Sequence, residues 1–133
     1  MSFHPYQPQD MIGESLVACD VQLAVLDSPF TGLAVPCKLY GMLASGKPAI
    51  VVCEEQGEMA RVVEELECGF VVSPGDVDGL VDAISRLMSD DSLRKQMGRR
   101  ARQACVRQYT LAEVAGRYVN VIRSVQDCYR ATK

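Results

Sequence analysis

The chain has 133 residues, 23% of them charged and 48% hydrophobic, with a formal net charge of −3. That length carries one domain with a real core, the composition is that of ordinary globular proteins, and the charge balance argues against a strongly basic nucleic-acid surface. No apolar run approaches the roughly 20 residues of a membrane span, and the start of the chain shows no signal-peptide pattern.

The first nine residues, with Pro5 and Pro8, read as extended entry, and Asp10 is expected to cap a short helix running to about Ala18. Val21 to Leu26 is a buried-strand pattern, and Asp27 to Pro36 combines the residues of a loop. Pro36 suits the first turn of a helix that continues to about Ala44, with Gly46 just past its end. Pro48 to Cys53 is a second continuous apolar run, Glu54 to Gly57 a turn, Glu58 to Leu66 a helix, and Cys68 to Val72 a third strand. Asp76 is placed to cap a helix whose apolar residues Val77, Leu80, Val81, Ile84, Leu87 and Met88 recur at helical spacing. A charged helix follows to about Gln108, and Thr110 with Glu113 forms a capping box for a last amphipathic helix.

Alternating strands and helices predict an α/β fold: a Rossmann-like three-layer arrangement with a short parallel sheet of about three strands and C-terminal helices. The strands are apolar throughout, which predicts cover on both faces. The whole chain reads as one domain. Cysteines at 19, 37, 53, 68, 105 and 128 form no Cys-x-x-Cys pair and have no nearby histidine. Free thiols in a reducing, cytoplasmic setting are expected, with neither a disulfide framework nor a metal site, and peripheral membrane association stays open.

Four ordered pieces carry a resemblance. They are "GLAVPCKLYGMLASGKPAIVV", then "GEMARVVEELECGFVV", then "SPGDVDGLVDAISRLMSD", then "RRARQACVRQYTLAEVAGRY". Together they resemble the second half of the C-terminal, donor-binding domain of family 4 glycosyltransferases with the GT-B fold. The resemblance implies a nucleotide-sugar donor such as a UDP- or GDP-sugar, retaining transfer of a hexosyl or N-acetylhexosaminyl group, and an acceptor held by a separate N-terminal domain. No metal cofactor is expected, since a helix start with a lysine can hold the diphosphate in its place.

On that resemblance, backbone N–H groups of Cys37, Lys38 and Leu39 hold the donor diphosphate, with Lys38 adding a mobile positive charge. Helix starts have unpartnered amides and partial positive charge, so the chemistry fits. The family usually has Ser where Cys37 stands. Thr31, Gly32 and Leu33 fall at the carboxyl end of the first strand and would contact the sugar, although the family often has an acidic residue at Thr31. Gly41 stands where many members carry the Glu that holds ribose hydroxyls. Glu58, at the start of the next helix, is a candidate sugar-side contact; Glu54 and Glu55 read as solvated or capping. Tyr40 reads as a core residue or a stacking platform. His4 lies in the irregular entry and suggests no chemistry. Arg99, Arg100, Arg102 and Arg107 fall toward the end of a helix that begins with acids, which suits its dipole; an anion-binding surface is the other reading.

Two functions compete. One is the donor-binding part of a glycosyltransferase, incomplete for catalysis alone. The other is a non-catalytic α/β interaction or oligomerisation module that forms homo-oligomers through an uncovered strand edge and last helix. A different dinucleotide-binding enzyme is disfavoured, since no Gly-x-Gly-x-x-Gly turn follows a strand.

Overall fold

The computed structural model describes residues 5–27, 29 and 37–131. After a 3-10 turn at Gln9–Met11, the elements are α1 (Ile12–Val17), β1 (Gln22–Val25), α2 (Lys38–Ser45), β2 (Ala49–Val52), α3 (Glu58–Glu65), β3 (Gly69–Val72), α4 (Val77–Ser89), α5 (Asp91–Gln108) and α6 (Leu111–Ala131). The sheet runs β1-β2-β3, all parallel, with Leu23 opposite Ile50 and Ile50 opposite Phe70. This is the expected Rossmann-like α/β half-domain.

The pleat of β2 sorts the core into two. Ala49 and Val51 point to one face, where they pack with Leu39, Met42 and Leu43 of α2 and with Met59, Val62 and Val63 of α3. Ile50 points to the other, with Ala83 and Leu87 of α4 and Val72 of β3. Helices thus cover both faces of β2, and its continuous apolar run follows from that. Helix α5 supplies Ala101 to the first cluster and Met97 to the second.

One expectation fails at β1. Gln22 and Ala24 are buried on the α2 side, but Leu23 and Val25 are 56% and 68% exposed. Helix α4 packs on β2 and β3, so nothing among the described residues covers the second face of β1. The buried Gln22 is no defect: its Nε2 donates to the Leu16 carbonyl at 2.9 Å and to Ser45 Oγ at 2.7 Å, pinning α1 and α2 to the strand.

Caps follow the sequence with one exception. Asp76 accepts from Gly79 N at 2.9 Å, and Asp90 accepts from Leu93 N at 2.8 Å at the head of α5. Thr110 Oγ1 accepts from Glu113 N at a long 3.4 Å. Asp10 caps nothing: it sits inside the 3-10 turn, and α1 starts from Met11 without a side-chain cap. Gly46 ends α2 in the left-handed region, φ 69°, as its position past the last periodic residue predicts.

Helix α3 ends less comfortably. Cys68 N donates to Val63 O at 3.2 Å and Glu67 N to Glu64 O at 3.0 Å, the paired bonds of a Schellman motif. The left-handed position is filled by Glu67, φ 46°, not by glycine. Arg100 holds it, donating to the Glu67 carbonyl at 3.3 Å and pairing with its carboxylate at 3.1 Å. Glu67→Gly relieves the steric cost of a left-handed L-residue and loses only an exposed ion pair. A net gain near 0.5 kcal/mol is expected in urea unfolding, where a side chain in this region otherwise costs about 1–2 kcal/mol.

Candidate functional site

In a parallel sheet each crossover helix runs back against its strands, so the heads of α2, α3 and α4 gather at the carboxyl edge of β1, β2 and β3. Open α/β sheets bind ligands there. The head of α2 is set by Leu39, 1% exposed, whose side chain is anchored in the first core cluster. The residue before it, Lys38, is exposed and has no ion pair among the described residues. The residue before that, Cys37, is the N-cap and has helical dihedrals, φ −54° and ψ −25°, with no side-chain cap bond.

Three predicted residues come together. Cys37, Lys38 and Gly41 line one groove of about 500 Å³ with Leu16 of α1 and with Leu23 and Ala24 of β1. Gly41 is close to α1: a Cβ built there would lie 3.4 Å from Leu16 Cδ1. The space into which a longer side chain at this position would extend is thus bounded by an apolar residue. Leu39 is not part of the groove wall, since its side chain faces the core, and only its backbone amide can serve a ligand. Thr31, Gly32, Leu33, Pro36 and His4 lie outside the described residues.

Glu58 is separate from this groove. It occupies the first turn of α3, where Arg61 bridges it to Glu65: Arg61 Nη2 meets Glu58 Oε1 at 2.5 Å and Nη1 meets Glu65 Oε1 at 2.7 Å. The hydrogen bond from Arg61 holds the Glu58 carboxyl below its usual range, and both acids push the Arg61 guanidinium up. Glu54 accepts from Gly57 N at 2.9 Å through its carbonyl and so closes the turn before α3.

Tyr40, in the first turn of α2, packs on Tyr109 at the end of α5, with ring centroids 5.0 Å apart and planes tilted by 52°. Burial pushes the Tyr109 phenol up, with a smaller push from Tyr40. None of the cysteines is in a disulfide. Burial raises Cys53, partly offset by the Ala60 amide, and carries Cys68 up to about 11, so both are inert core residues. Among the described residues no group of three or more His, Cys, Asp or Glu is placed to hold a metal ion, and no helix is long and apolar enough to cross a membrane.

Three arginines of α5 have roles that composition alone does not reveal. Arg94 donates to the Leu87 carbonyl and to the Met88 carbonyl at the end of α4. Arg100 donates to Glu67 O after α3, and Arg102 Nη1 donates to Ala44 O at the end of α2 at 2.7 Å. Each satisfies carbonyls that a helix terminus leaves without partners. The arginines suit the dipoles of neighbouring helices more than that of their own.

Residues 1–104 match the family described as "Glycosyl transferases group 1". The chain belongs to this family. Among its glycosyltransferase relatives, it is 36% identical over 76 residues to "Probable glycosyltransferase WbjE" of Pseudomonas aeruginosa, covering 57% of this chain and 19% of that protein. It is 26% identical over 117 residues to "N-acetyl-alpha-D-glucosaminyl L-malate synthase" of Bacillus anthracis, covering 88% of this chain and 29% of that protein. It is 37% identical over 76 residues to "Exopolysaccharide phosphotransferase SCO2592" of Streptomyces coelicolor, covering 57% of this chain and 8% of that protein. The chain therefore spans less than a third of the length of these relatives. No solved structure matches it significantly.

Proposed function

We propose that this chain is the nucleotide-diphosphate-sugar binding part of a retaining group 1 glycosyltransferase and that catalysis needs an acceptor-binding domain outside it. The observation that carries the reading is the groove that runs from the head of α2 along β1 and α1, where Lys38 and Cys37 meet Gly41. Amides of Cys37, Lys38 and Leu39 point along the helix axis toward the donor diphosphate, and the Lys38 ammonium neutralises a phosphate oxygen as a mobile cation. As the sugar leaves, negative charge grows on the diphosphate, and the same groups stabilise it without a metal. Thr31, Gly32 and Leu33 take the sugar, and Glu58 reaches it only by sharing its carboxylate with Arg61.

A titration tests this. UDP-, GDP- and ADP-linked sugars, added separately, should shift the backbone amides of Cys37 to Tyr40 in NMR spectra while leaving α6 unmoved. Lys38→Met should weaken that binding about tenfold, the worth of one charge-assisted hydrogen bond. Silence of those amides at millimolar ligand overturns the reading.

The exposed apolar residues Leu23 and Val25 of β1, and Leu111, Tyr118 and Val125 of α6, favour a second one. In it the chain is a non-catalytic module that covers these surfaces by forming homo-oligomers. Silent amides combined with a dimer in sedimentation support it.

A further inference from the structure

Helix α5 lies antiparallel along α2 and touches it at both ends. At the tail, a Cβ on Gly98 would come within 2.2 Å of the Gly46 carbonyl, so the backbones are in direct contact there. One turn on, Arg102 holds the Ala44 carbonyl at 2.7 Å. At the head, Tyr109 closes on Tyr40 with centroids 5.0 Å apart. In between, Ala101 and Cys105 pack against the cluster that holds Leu39 and Leu43. The core side chains of α2 fix the face it turns to the sheet. They leave its tilt and its slide along its own axis less constrained, because apolar contacts are not directional. The Arg102 hydrogen bond at the tail, beside the one from Gln22 to Ser45, and the ring contact at the head supply that constraint.

We propose that Arg102 and Tyr109 are positioning residues for the head of α2: they act through Ala44 and Tyr40 to set where the amides of Cys37 to Leu39 point. This rests on the donor-binding reading for its functional consequence, but the mechanical part stands without any ligand. Helix α2 has eight residues, about 12 Å of rise, and moves as a short rod. A loss at the tail is therefore felt at the head. Substrate-holding groups displaced by a fraction of an ångström lose affinity and rate well out of proportion to the lost contact.

The experiment has two arms on the same variants. Without ligand, amide shifts and hydrogen exchange are compared between the unaltered chain, Arg102→Ala, Arg102→Lys and Tyr109→Ala. Arg102→Ala should perturb Lys38 to Tyr40 as well as the adjacent Ala44 to Lys47, and Arg102→Lys, which keeps a donor, should largely restore both. Tyr109→Ala should reach Lys38 and Leu39 from the other end. With ligand, UDP and GDP are titrated, and Arg102→Ala should raise the dissociation constant about tenfold while the melting temperature moves little, the residue being exposed. Perturbation confined to Ala44–Lys47, with Lys38 to Tyr40 unchanged, overturns the proposal. If the unaltered chain binds neither nucleotide, the donor reading fails, and the ligand-free arm still decides whether Arg102 and Tyr109 set the helix head.

Discussion

Gly98→Ala is expected to destabilise the protein by about 2–3 kcal/mol, against the usual sign, since glycine inside a helix normally costs about 1 kcal/mol relative to alanine. The added methyl would lie 2.2 Å from the Gly46 carbonyl oxygen and 3.1 Å from its carbon. Those are backbone atoms, not the end of a side chain that can swing away. Gly46 cannot yield easily either, because it sits at φ 69° and its amide donates to Leu43 O at 3.2 Å to close α2. The two helices must separate, and the contacts of Ala101 and Arg102 with α2 open together. Gly116→Ala on α6 is the control: nothing lies within 4 Å of the site, and a gain of up to about 1 kcal/mol follows from propensity alone. Urea unfolding of the two variants should move in opposite directions. A shared gain would mean that α5 is not seated against the turn after α2.

The same contact marks where sequence reading stops. Periodicity located the elements, and the signals at Gly46, Asp76 and Thr110 marked true helix ends, because these are local effects of backbone sterics and of amides within a few residues. Asp10 misled for a local reason: an acid before an apolar run resembles a cap, yet the chain turns in a 3-10 bend and buries none of its residues there. The arginines of α5 were legible as charge and illegible as contacts, since Arg102 and Ala44 lie 58 residues apart and only the tertiary arrangement joins them. Gln22 was hidden within an apolar strand, and its role needed the positions of both Leu16 and Ser45. The open face of β1 contradicts its apolar sequence because residue type reports a preference for burial, and burial itself depends on which helix lies across the strand. For the candidate site, a proline before a short helix after a strand points to the head of α2 as the place to look. The grouping of Cys37, Lys38 and Gly41 in one groove, with Glu58 apart and tied to Arg61, was visible only in three dimensions.

On the proposed donor-binding reading, adjacent residues at that head carry separable duties, and substitution should divide them. Leu39→Ala is expected to cost about 3 kcal/mol, within the usual range of roughly 2–5 for a leucine removed from a packed core. Leu39 is 1% exposed and shares its cluster with Met42, Leu43 and Val63, so the cavity opens between α2, α3 and β2. Leu39→Met nearly conserves volume and should cost less than about 1.5 kcal/mol. Lys38→Met, at an exposed position, should stay within about 0.5 kcal/mol of the unaltered chain. Thermal unfolding of the three variants gives the stability order, and nucleotide titration should give a different one. Leu39→Met, which keeps the backbone amide where it was, should bind as the unaltered chain does; Lys38→Met should bind about tenfold more weakly despite its intact stability. Were Leu39→Met to lose binding as fully as Lys38→Met, the ligand would be meeting the leucine side chain. The anchor and the anion-facing amide would then not be opposite sides of one residue.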